Sequence, residues 1–334
     1  MKKLVALFFV LLTAVSLFGQ NKSTDGRQYS GRSRHHFIVF QDKMFIIGGN
    51  YGYMQQNMKY HNDVWMSQNG LTWERIAVNI VDPPRENFAV AVFDDRIWLT
   101  GGYCGIDGEY LNDMWYSEDG RKWIKAVDNT DYPPRSKATL VVKDERMFLL
   151  GGVDEETMFE DVYYSDNAID WEQLSDGNDI ACAVQRQALV FNNDIYLFCP
   201  DHGILTSADG ESWEQADIPD FIKTRKDYAA AVLNDKLYLS GGEKIFKNPN
   251  FNDALNDLWM TDDGVNWEKV EPNHRVLDLN MPEYRRFPKR SRHSMLAFNN
   301  KLYITGGYVR IDGYDDHFND TWMTKDGSVW VKMH

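Results

Sequence analysis

The chain has 334 residues, of which 43% are hydrophobic and 14% aromatic, so it can bury a substantial core and is not intrinsically disordered. Acidic residues outnumber basic residues 50 to 36, and the formal net charge is −14. This balance argues against a nucleic-acid partner, because phosphate binding needs a basic surface. Three cysteines are too few for a disulfide framework. A Cys182–Cys199 pair stays open, and Cys104 is expected to be the free thiol.

The first element is an N-terminal apolar segment. Lys2 and Lys3 precede the apolar run Leu4–Leu17, and small or polar residues follow it. This layout is typical of a secretory signal peptide. The run is short for a membrane anchor, which needs about 20 residues. We therefore expect a signal peptide over residues 1–19, a linker over 20–31, and a secreted or periplasmic mature protein without a membrane span.

The remainder of the chain consists of repeats. An apolar strand followed by two glycines occurs five times, and a sixth copy carries Cys199-Pro200 in place of the glycines. The period is roughly 50 residues, which is typical of propeller blades. The six strands end at Gly49, Gly102, Gly152, Pro200, Gly242 and Gly307.

Each repeat carries four strand signals. A first apolar strand and the glycine strand are joined by two residues such as Asp94-Asp95, which suit a tight hairpin because Asn and Asp tolerate positive φ. A variable loop leads to a third strand that opens with Asn-Asp or Glu-Asp before an aromatic residue in most copies, as in Asn62–Ser67. The fourth strand opens with tryptophan in each copy, at Trp73, Trp123, Trp171, Trp213, Trp267 and Trp330.

These features resemble the kelch repeat family. The double glycine, the Asn-Asp pair, the spaced tryptophan and the openings Pro84-Arg85 and Pro134-Arg135 carry the resemblance. It implies an all-β, six-bladed β-propeller of four-stranded antiparallel blades, related to the central domain of galactose oxidase. The predicted blades cover about 32–80, 81–130, 131–178, 179–218, 219–272 and 286–334. Since the first and last repeats each look complete, we expect the ring to close without strand exchange.

Comparing equivalent positions separates scaffold from candidate site. Sixteen residues before the first glycine, five of six copies have arginine, which predicts a scaffold role with bonds between blades. These arginines are Arg32, Arg85, Arg135, Arg225 and Arg290. Positions fourteen and thirteen residues before the glycine vary, and a varying position is free to serve a ligand. In kelch relatives the residues that enter the first strand lie near the mouth of the central channel.

The variable positions predict a site at this mouth. All the long loops are expected on the same side of the ring, here called the loop face, where binding residues concentrate. Cationic side chains at the mouth of an acidic protein suggest an anionic ligand, because arginine forms paired hydrogen bonds with carboxylates. The predicted ligand-binding residues are Arg34, Asn87, Lys137, Gln185, Arg186 and Arg292.

Two functions are consistent with such a site. An exported propeller with a basic mouth looks like the sialic-acid mutarotases (N-acetylneuraminate epimerases), which implies an acidic carbohydrate ligand and Asp227, His35 and His293 as candidate proton carriers. The alternative is a non-catalytic module that binds a protein or glycan through aromatic loop residues. Neither function needs a cofactor or a metal. A copper oxidase resembling galactose oxidase is a third hypothesis. Its only support in the sequence is Cys104 beside Tyr103, and the pair Tyr60-His61.

Overall fold

A computed structural model describes residues 28–52, 58–105, 108–175, 180, 187–200, 203–245, 254–272, 286–311 and 314–333. The expected signal peptide and most of the linker lie outside the described residues, as do Cys182, Gln185 and Arg186. The described part is nearly all β, and the only helix in it is the four-residue α1 (Asp220–Lys223). Among these residues, no helix has the length and apolarity needed to cross a membrane.

Six four-stranded antiparallel sheets form the blades, which confirms the predicted fold class. Their strands are as follows: blade one, β1 (His36–Phe40), β2 (Lys43–Ile47), β5 (Asp63–Ser67) and β6 (Glu74–Val78); blade two, β7 (Ala89–Phe93), β8 (Arg96–Thr100), β11 (Met114–Ser117) and β12 (Ile124–Val127); blade three, β13 (Thr139–Lys143), β14 (Arg146–Val153), β15 (Met158–Ser165) and β16 (Glu172–Ser175).

The second half of the chain repeats this order. Its strands are as follows: blade four, β17 (Gln187–Phe191), β18 (Asp194–Cys199), β19 (Gly203–Ser207) and β20 (Glu214–Gln215); blade five, β22 (Ala229–Leu233), β23 (Lys236–Ser240), β25 (Leu258–Thr261) and β26 (Glu268–Lys269); blade six, β27 (Ser294–Phe298), β28 (Lys301–Thr305), β31 (Thr321–Thr324) and β32 (Val331–Lys332).

Short two-stranded sheets extend four of the blades. Their strands are β3 (Asn50–Tyr51) with β4 (Lys59–Tyr60), β9 (Tyr103–Cys104) with β10 (Glu109–Tyr110), β21 (Arg225–Lys226) with β24 (Glu243–Lys244), and β29 (Tyr308–Ile311) with β30 (Tyr314–His317). Three of these sheets lie in the loops that connect the second and third strands of a blade, and the fourth joins such a loop to the segment before blade five. They therefore belong to the loop face.

The first strands of the blades form the innermost ring. β1 contacts both β7 and β27, and the remaining first strands contact one another in chain order. Each sheet is built from one continuous segment of chain, so the ring closes without strand exchange. At the junction between blades six and one, main-chain hydrogen bonds join the two blades in place of an exchanged strand. The Arg32 amide donates to the Phe318 carbonyl at 3.1 Å, and the Gly307 amide donates to the Arg32 carbonyl at 2.8 Å.

The hydrophobic core is divided among the junctions between blades. Each of six clusters of buried side chains joins two neighbouring blades of the described chain. The cluster at the closing junction brings Phe37 and Trp73 of blade one against Leu296 and Tyr303 of blade six. Because every blade buries both faces of its sheet against its neighbours, the apolar second strands are almost continuously buried.

Buried arginines join the strands of a single blade. In blade six, Arg290 donates to the Gly306 carbonyl at 2.9 Å and to both carboxylate oxygens of Asp320 at 2.7 and 2.9 Å. The equivalent pairs are Arg32–Asp63, Arg85–Asp113, Arg135–Asp161 and Arg225–Asp257. The predicted scaffold role is therefore confirmed, but the prediction that these side chains bond between blades was wrong. Main-chain bonds to the arginine carbonyls link the blades instead.

The two described cysteine positions differ in chemistry. Cys104 is buried and is not part of a disulfide, which agrees with the expectation of a thiol there. Cys199 is disulfide-bonded. It is also fully buried in the cluster between blades three and four, where it stands in place of the first glycine of the repeat.

A glycine in the turn before the fourth strand makes room for the neighbouring blade. Gly120 has φ of +74°, and a Cβ there would lie 2.6 Å from the Phe45 ring of blade one. A Cβ at Gly210 of blade four would likewise lie 2.5 Å from the Phe148 ring of blade three. The aromatic residue of each second strand can approach this closely because the turn has no side chain.

We predict that Gly120→Ala destabilises the fold by about 2–4 kcal/mol, since left-handed φ costs about 1 kcal/mol and overpacking adds about 1–3 kcal/mol. Gly108→Ala is the matched control, because Gly108 also has φ of +74° but has open space around it. Denaturant unfolding of both variants measures the difference. Equal losses of stability would show that the contact with Phe45 does not limit side-chain size.

Candidate ligand-binding site

Five residues at the channel mouth share an unusual backbone conformation. All of them lie fourteen residues before the first glycine of their repeat, and all have φ between 51° and 56°. They are Arg34, Asn87, Lys137, Asp227 and Arg292, here called the mouth residues. Left-handed φ is uncommon for residues other than glycine and asparagine. Because every blade with a described mouth residue has this bend, the fold itself requires it, while the side chain is free to vary.

Main-chain hydrogen bonds connect mouth residues of neighbouring blades. The Arg34 amide donates to the Arg292 carbonyl at 3.1 Å, and the Arg292 amide donates to the Asp227 carbonyl at 2.8 Å. The Lys137 amide donates to the Asn87 carbonyl at 2.8 Å. These bonds hold five side chains around one opening, so the structure brings together predicted residues that are far apart in sequence.

The opening leads into a central cavity of about 310 Å³. All five mouth residues line it, together with His35 and His293. Its deeper wall includes apolar first-strand residues, among them Val90, Leu140 and Met295. A cavity of this size is within the range of small-molecule sites, which combine apolar walls with a few polar groups.

Two inter-blade ion pairs hold the arginines of the mouth. Arg292 Nε donates to Asp227 at 2.9 Å, and the Asp227 side chain is only 2% exposed. Arg34 lies 3.8 Å from Glu86, which also accepts a hydrogen bond from the Asn50 side chain at 2.5 Å. The Arg34 and Arg292 side chains nevertheless keep 21% and 25% of their surface exposed, so both can contact a ligand as well as their carboxylates.

Lys137 differs from the two arginines. Among the described residues, no carboxylate lies within 4 Å of the Lys137 ammonium group. By contrast, the ammonium group of Lys226, which precedes blade five, lies 3.1 Å from the Glu243 carboxylate. Burial lowers the pKa of Lys137, and the positive charges of Arg34 and Arg292 lower it further, while the carboxylates of Glu86 and Asp227 act in the opposite direction. Burial also lowers the pKa of Arg34, and so does the positive charge of Arg292, while Asp227 and Glu86 oppose both effects. Against the effect of burial, Asp227 raises the pKa of Arg292, so the lowered pKa values are those of Arg34 and Lys137, and an anion beside these two cations would stabilise their charged forms.

His35 and His293 occupy equivalent positions at two junctions between blades. His35 Nε2 is 2.7 Å from the Thr305 hydroxyl of blade six, and His293 Nε2 is 2.8 Å from the Ser240 hydroxyl of blade five. Each ring packs against the first glycine of that preceding blade. Burial lowers the pKa of both imidazoles, to about 3 for His293, so both are neutral at physiological pH. Their contacts join blades, and their role as proton carriers stays a prediction.

The comparison of repeats missed two residues that shape the site. Glu86 precedes the mouth residue of blade two, at a position where three other copies have serine, and this departure from the repeat is a signal that could have revealed it. His36 lines the cavity and its Nε2 lies 2.8 Å from the Phe88 carbonyl. Burial lowers the pKa of His36 to about 4. Nothing in the repeat pattern distinguishes His36 from an ordinary first-strand residue.

A metal site has no support in the described part of the chain. There, no group of three or more His, Cys, Asp and Glu side chains lies close enough together to hold a metal ion. His61, one of the residues considered for copper, is a partly buried histidine beside the Arg32–Asp63 pair, and burial lowers its pKa to about 3.

The fold and the ring of mouth residues define a six-bladed kelch-type propeller with a polar channel mouth. The family model of the KLHDC2/KLHL20/DRC7 Kelch-repeats domain matches residues 8–200, more than half of the chain. The chain therefore belongs to the kelch-repeat family.

Solved structures support the same fold. One described as "Structure of YjhT" is similar to this chain over 92% of the chain and 99% of its own length, with a TM-score of 0.67 and 12% sequence identity. At that identity the similarity concerns the fold alone. No curated protein matches the chain.

Proposed function

We propose that this kelch propeller is exported and binds a small carboxylate-bearing sugar at the mouth of its central channel. The observation that carries the proposal is the charge arrangement at the mouth: three cations, Arg34, Lys137 and Arg292, face two carboxylates, and Lys137 has none within 4 Å among the described residues. A ligand carboxylate would complete this set. Export rests on the N-terminal segment, where two lysines precede an apolar run.

The enzymatic form of the proposal is a sialic-acid mutarotase. Opening the pyranose ring requires one group to take the proton of the anomeric hydroxyl while another group protonates the ring oxygen. Asp227, His35 and His293 line the cavity where such a ring would lie. Burial lowers the pKa of both imidazoles, so they are neutral and weak bases, and Asp227 is already hydrogen-bonded to Arg292.

The first test is a calorimetric titration with N-acetylneuraminate. We predict that Lys137→Met weakens binding tenfold or more, because a hydrogen bond to a charged group contributes about 1.5–3 kcal/mol. Lys122→Met is the matched control, since Lys122 is an exposed lysine in a turn on the face opposite the mouth. The neutral sugar N-acetylmannosamine is expected to bind weakly to every variant.

The proposal fails if the acidic and neutral sugars bind equally, or if Lys137→Met binds the acidic sugar as tightly as the wild-type protein. An NMR measurement of anomer exchange with the same samples separates enzyme from binder. Acceleration by the wild-type protein supports the mutarotase. Binding without acceleration restricts the function to ligand binding.

A second candidate function, a non-catalytic protein- or glycan-binding module, is favoured by a specific observation. Both arginines of the mouth form ion pairs between blades, as expected for a structural role. The loop face also carries aromatic contacts, including Tyr103 with Tyr110 at 4.9 Å and the 38% exposed Tyr51 against His317 at 5.0 Å. Glycan binding that survives Lys137→Met but is lost with Tyr51→Ala would support this module.

A further inference from the structure

Lys137 has the surroundings of a reactive amine. Its backbone is fixed by the bond from its own amide to the Asn87 carbonyl at 2.8 Å, and its side chain lines the cavity mouth. Burial lowers its pKa, and Arg34 and Arg292 act in the same direction, which together outweigh the opposite effect of the Glu86 and Asp227 carboxylates. An amine with a lowered pKa has more of the unprotonated form, which is the nucleophile toward carbonyl carbon.

Two guanidinium groups complete the arrangement. Arg34 and Arg292 belong to adjacent blades, line the same cavity as Lys137, and each keeps about a fifth to a quarter of its side chain exposed. Guanidinium groups bind carboxylates with paired hydrogen bonds. A ligand with a carboxylate next to a carbonyl would therefore meet the arginines with one group and the lysine with the other.

We propose that Lys137 forms an imine with the carbonyl carbon of a 2-oxo acid bound between Arg34 and Arg292. This inference deepens the proposed function, because an acidic sugar in its open-chain 2-oxo form belongs to the same chemical class. In the step, the amine nitrogen attacks the carbonyl carbon and forms a C–N bond. The carbonyl oxygen leaves as water with the two amine protons, and a neutral imine results without any oxidant or reductant.

Reductive trapping tests the imine directly. The full-length protein is incubated with pyruvate and sodium cyanoborohydride, which reduces an imine to a stable secondary amine, and the modified lysine is located by peptide mass spectrometry. We expect one adduct, on Lys137, formed at least tenfold faster than on the exposed Lys122. Acetone, a ketone without a carboxylate, should label Lys137 at least tenfold more slowly than pyruvate does.

The outcomes separate this inference from the proposed function. Equal labelling of Lys137 and Lys122, or no labelling of Lys137, overturns the imine. Because these readings use the wild-type protein, they do not depend on a variant that folds. The methyl glycoside of N-acetylneuraminate cannot open its ring, so its binding tests the anion site alone. If the glycoside binds and pyruvate is not trapped, the proposed function stands and the imine does not.

Discussion

Asp320→Ala is expected to lower the free energy of unfolding by about 3–5 kcal/mol, because it leaves the buried charge of Arg290 without its carboxylate. The Arg290 side chain is fully buried, and Asp320 is 8% exposed. Asp320 also accepts a hydrogen bond from Trp322 Nε1 at 2.7 Å. The same substitution therefore breaks the link between the loop before the first strand and the third strand of blade six.

An exposed ion pair of the same type is the control for this prediction. Arg146 and Asp166 lie 2.8 Å apart, but their side chains are 43% and 65% exposed. Asp166→Ala should cost no more than about 1 kcal/mol, since solvent screens exposed charges. Chemical denaturation of both variants gives the comparison. Losses of similar size would mean that the Arg290–Asp320 pair contributes no more than an ordinary surface contact.

Acid is expected to destabilise the propeller well before its carboxylates become protonated. Burial lowers the pKa of His293 to about 3 and of His36 to about 4, and it lowers the pKa of His35 well below the ordinary value. In the unfolded chain a histidine has a pKa of about 6.5. Between these values the unfolded state binds a proton that the folded state does not, so stability falls as the pH falls.

The pH window follows from these shifts. Stability should be constant between about pH 7.5 and pH 9 and should decrease below about pH 6.5, by about 1.4 kcal/mol per pH unit for each such histidine. The pKa of Asp320 and that of Asp257 are lowered by their arginine partners, which outweigh burial, so their contribution is lost only below about pH 4. The histidines therefore dominate between about pH 6.5 and 4.5, and Asp316, whose pKa is raised by burial, acts in the opposite direction.

Thermal unfolding from pH 8 to pH 5 measures this effect, with His293→Gln as the informative variant. Glutamine can still reach the Ser240 hydroxyl but does not titrate, so the pH dependence should become shallower by about one proton. A melting temperature that does not change between pH 7.5 and 5 would contradict the prediction for the wild-type protein.

Sequence repetition was sufficient to predict the fold because each blade depends on the same few contacts. The Gly-Gly strand, the Asn-Asp pair and the arginine of each copy meet in one buried cluster, as Arg290, Gly306 and Asp320 do in blade six. Residues with a shared task recur at fixed spacing, and a single chain with six copies shows that spacing. The same comparison predicted the mouth residues, because their side chains differ from repeat to repeat while the scaffold residues recur.

The partners of the mouth residues could not be predicted in the same way. Glu86 pairs with Arg34 of the neighbouring blade, and this contact depends on the angle between two sheets rather than on a repeat. The structural contacts of His35 and His293 were also not predicted by the comparison. Both lie where copies vary, yet each forms a hydrogen bond to a neighbouring blade, because histidine at this position finds a hydroxyl at Thr305 or Ser240.

The most direct test of the anion site is the position of a carboxylate in a crystal structure of the complex with N-acetylneuraminate. The charges at the mouth predict that the ligand carboxylate lies within hydrogen-bond distance of Lys137 and of at least one of Arg34 and Arg292. A ligand bound on the outer loop face around Tyr51, with the mouth residues uncontacted, would contradict the account and support the non-catalytic binding module.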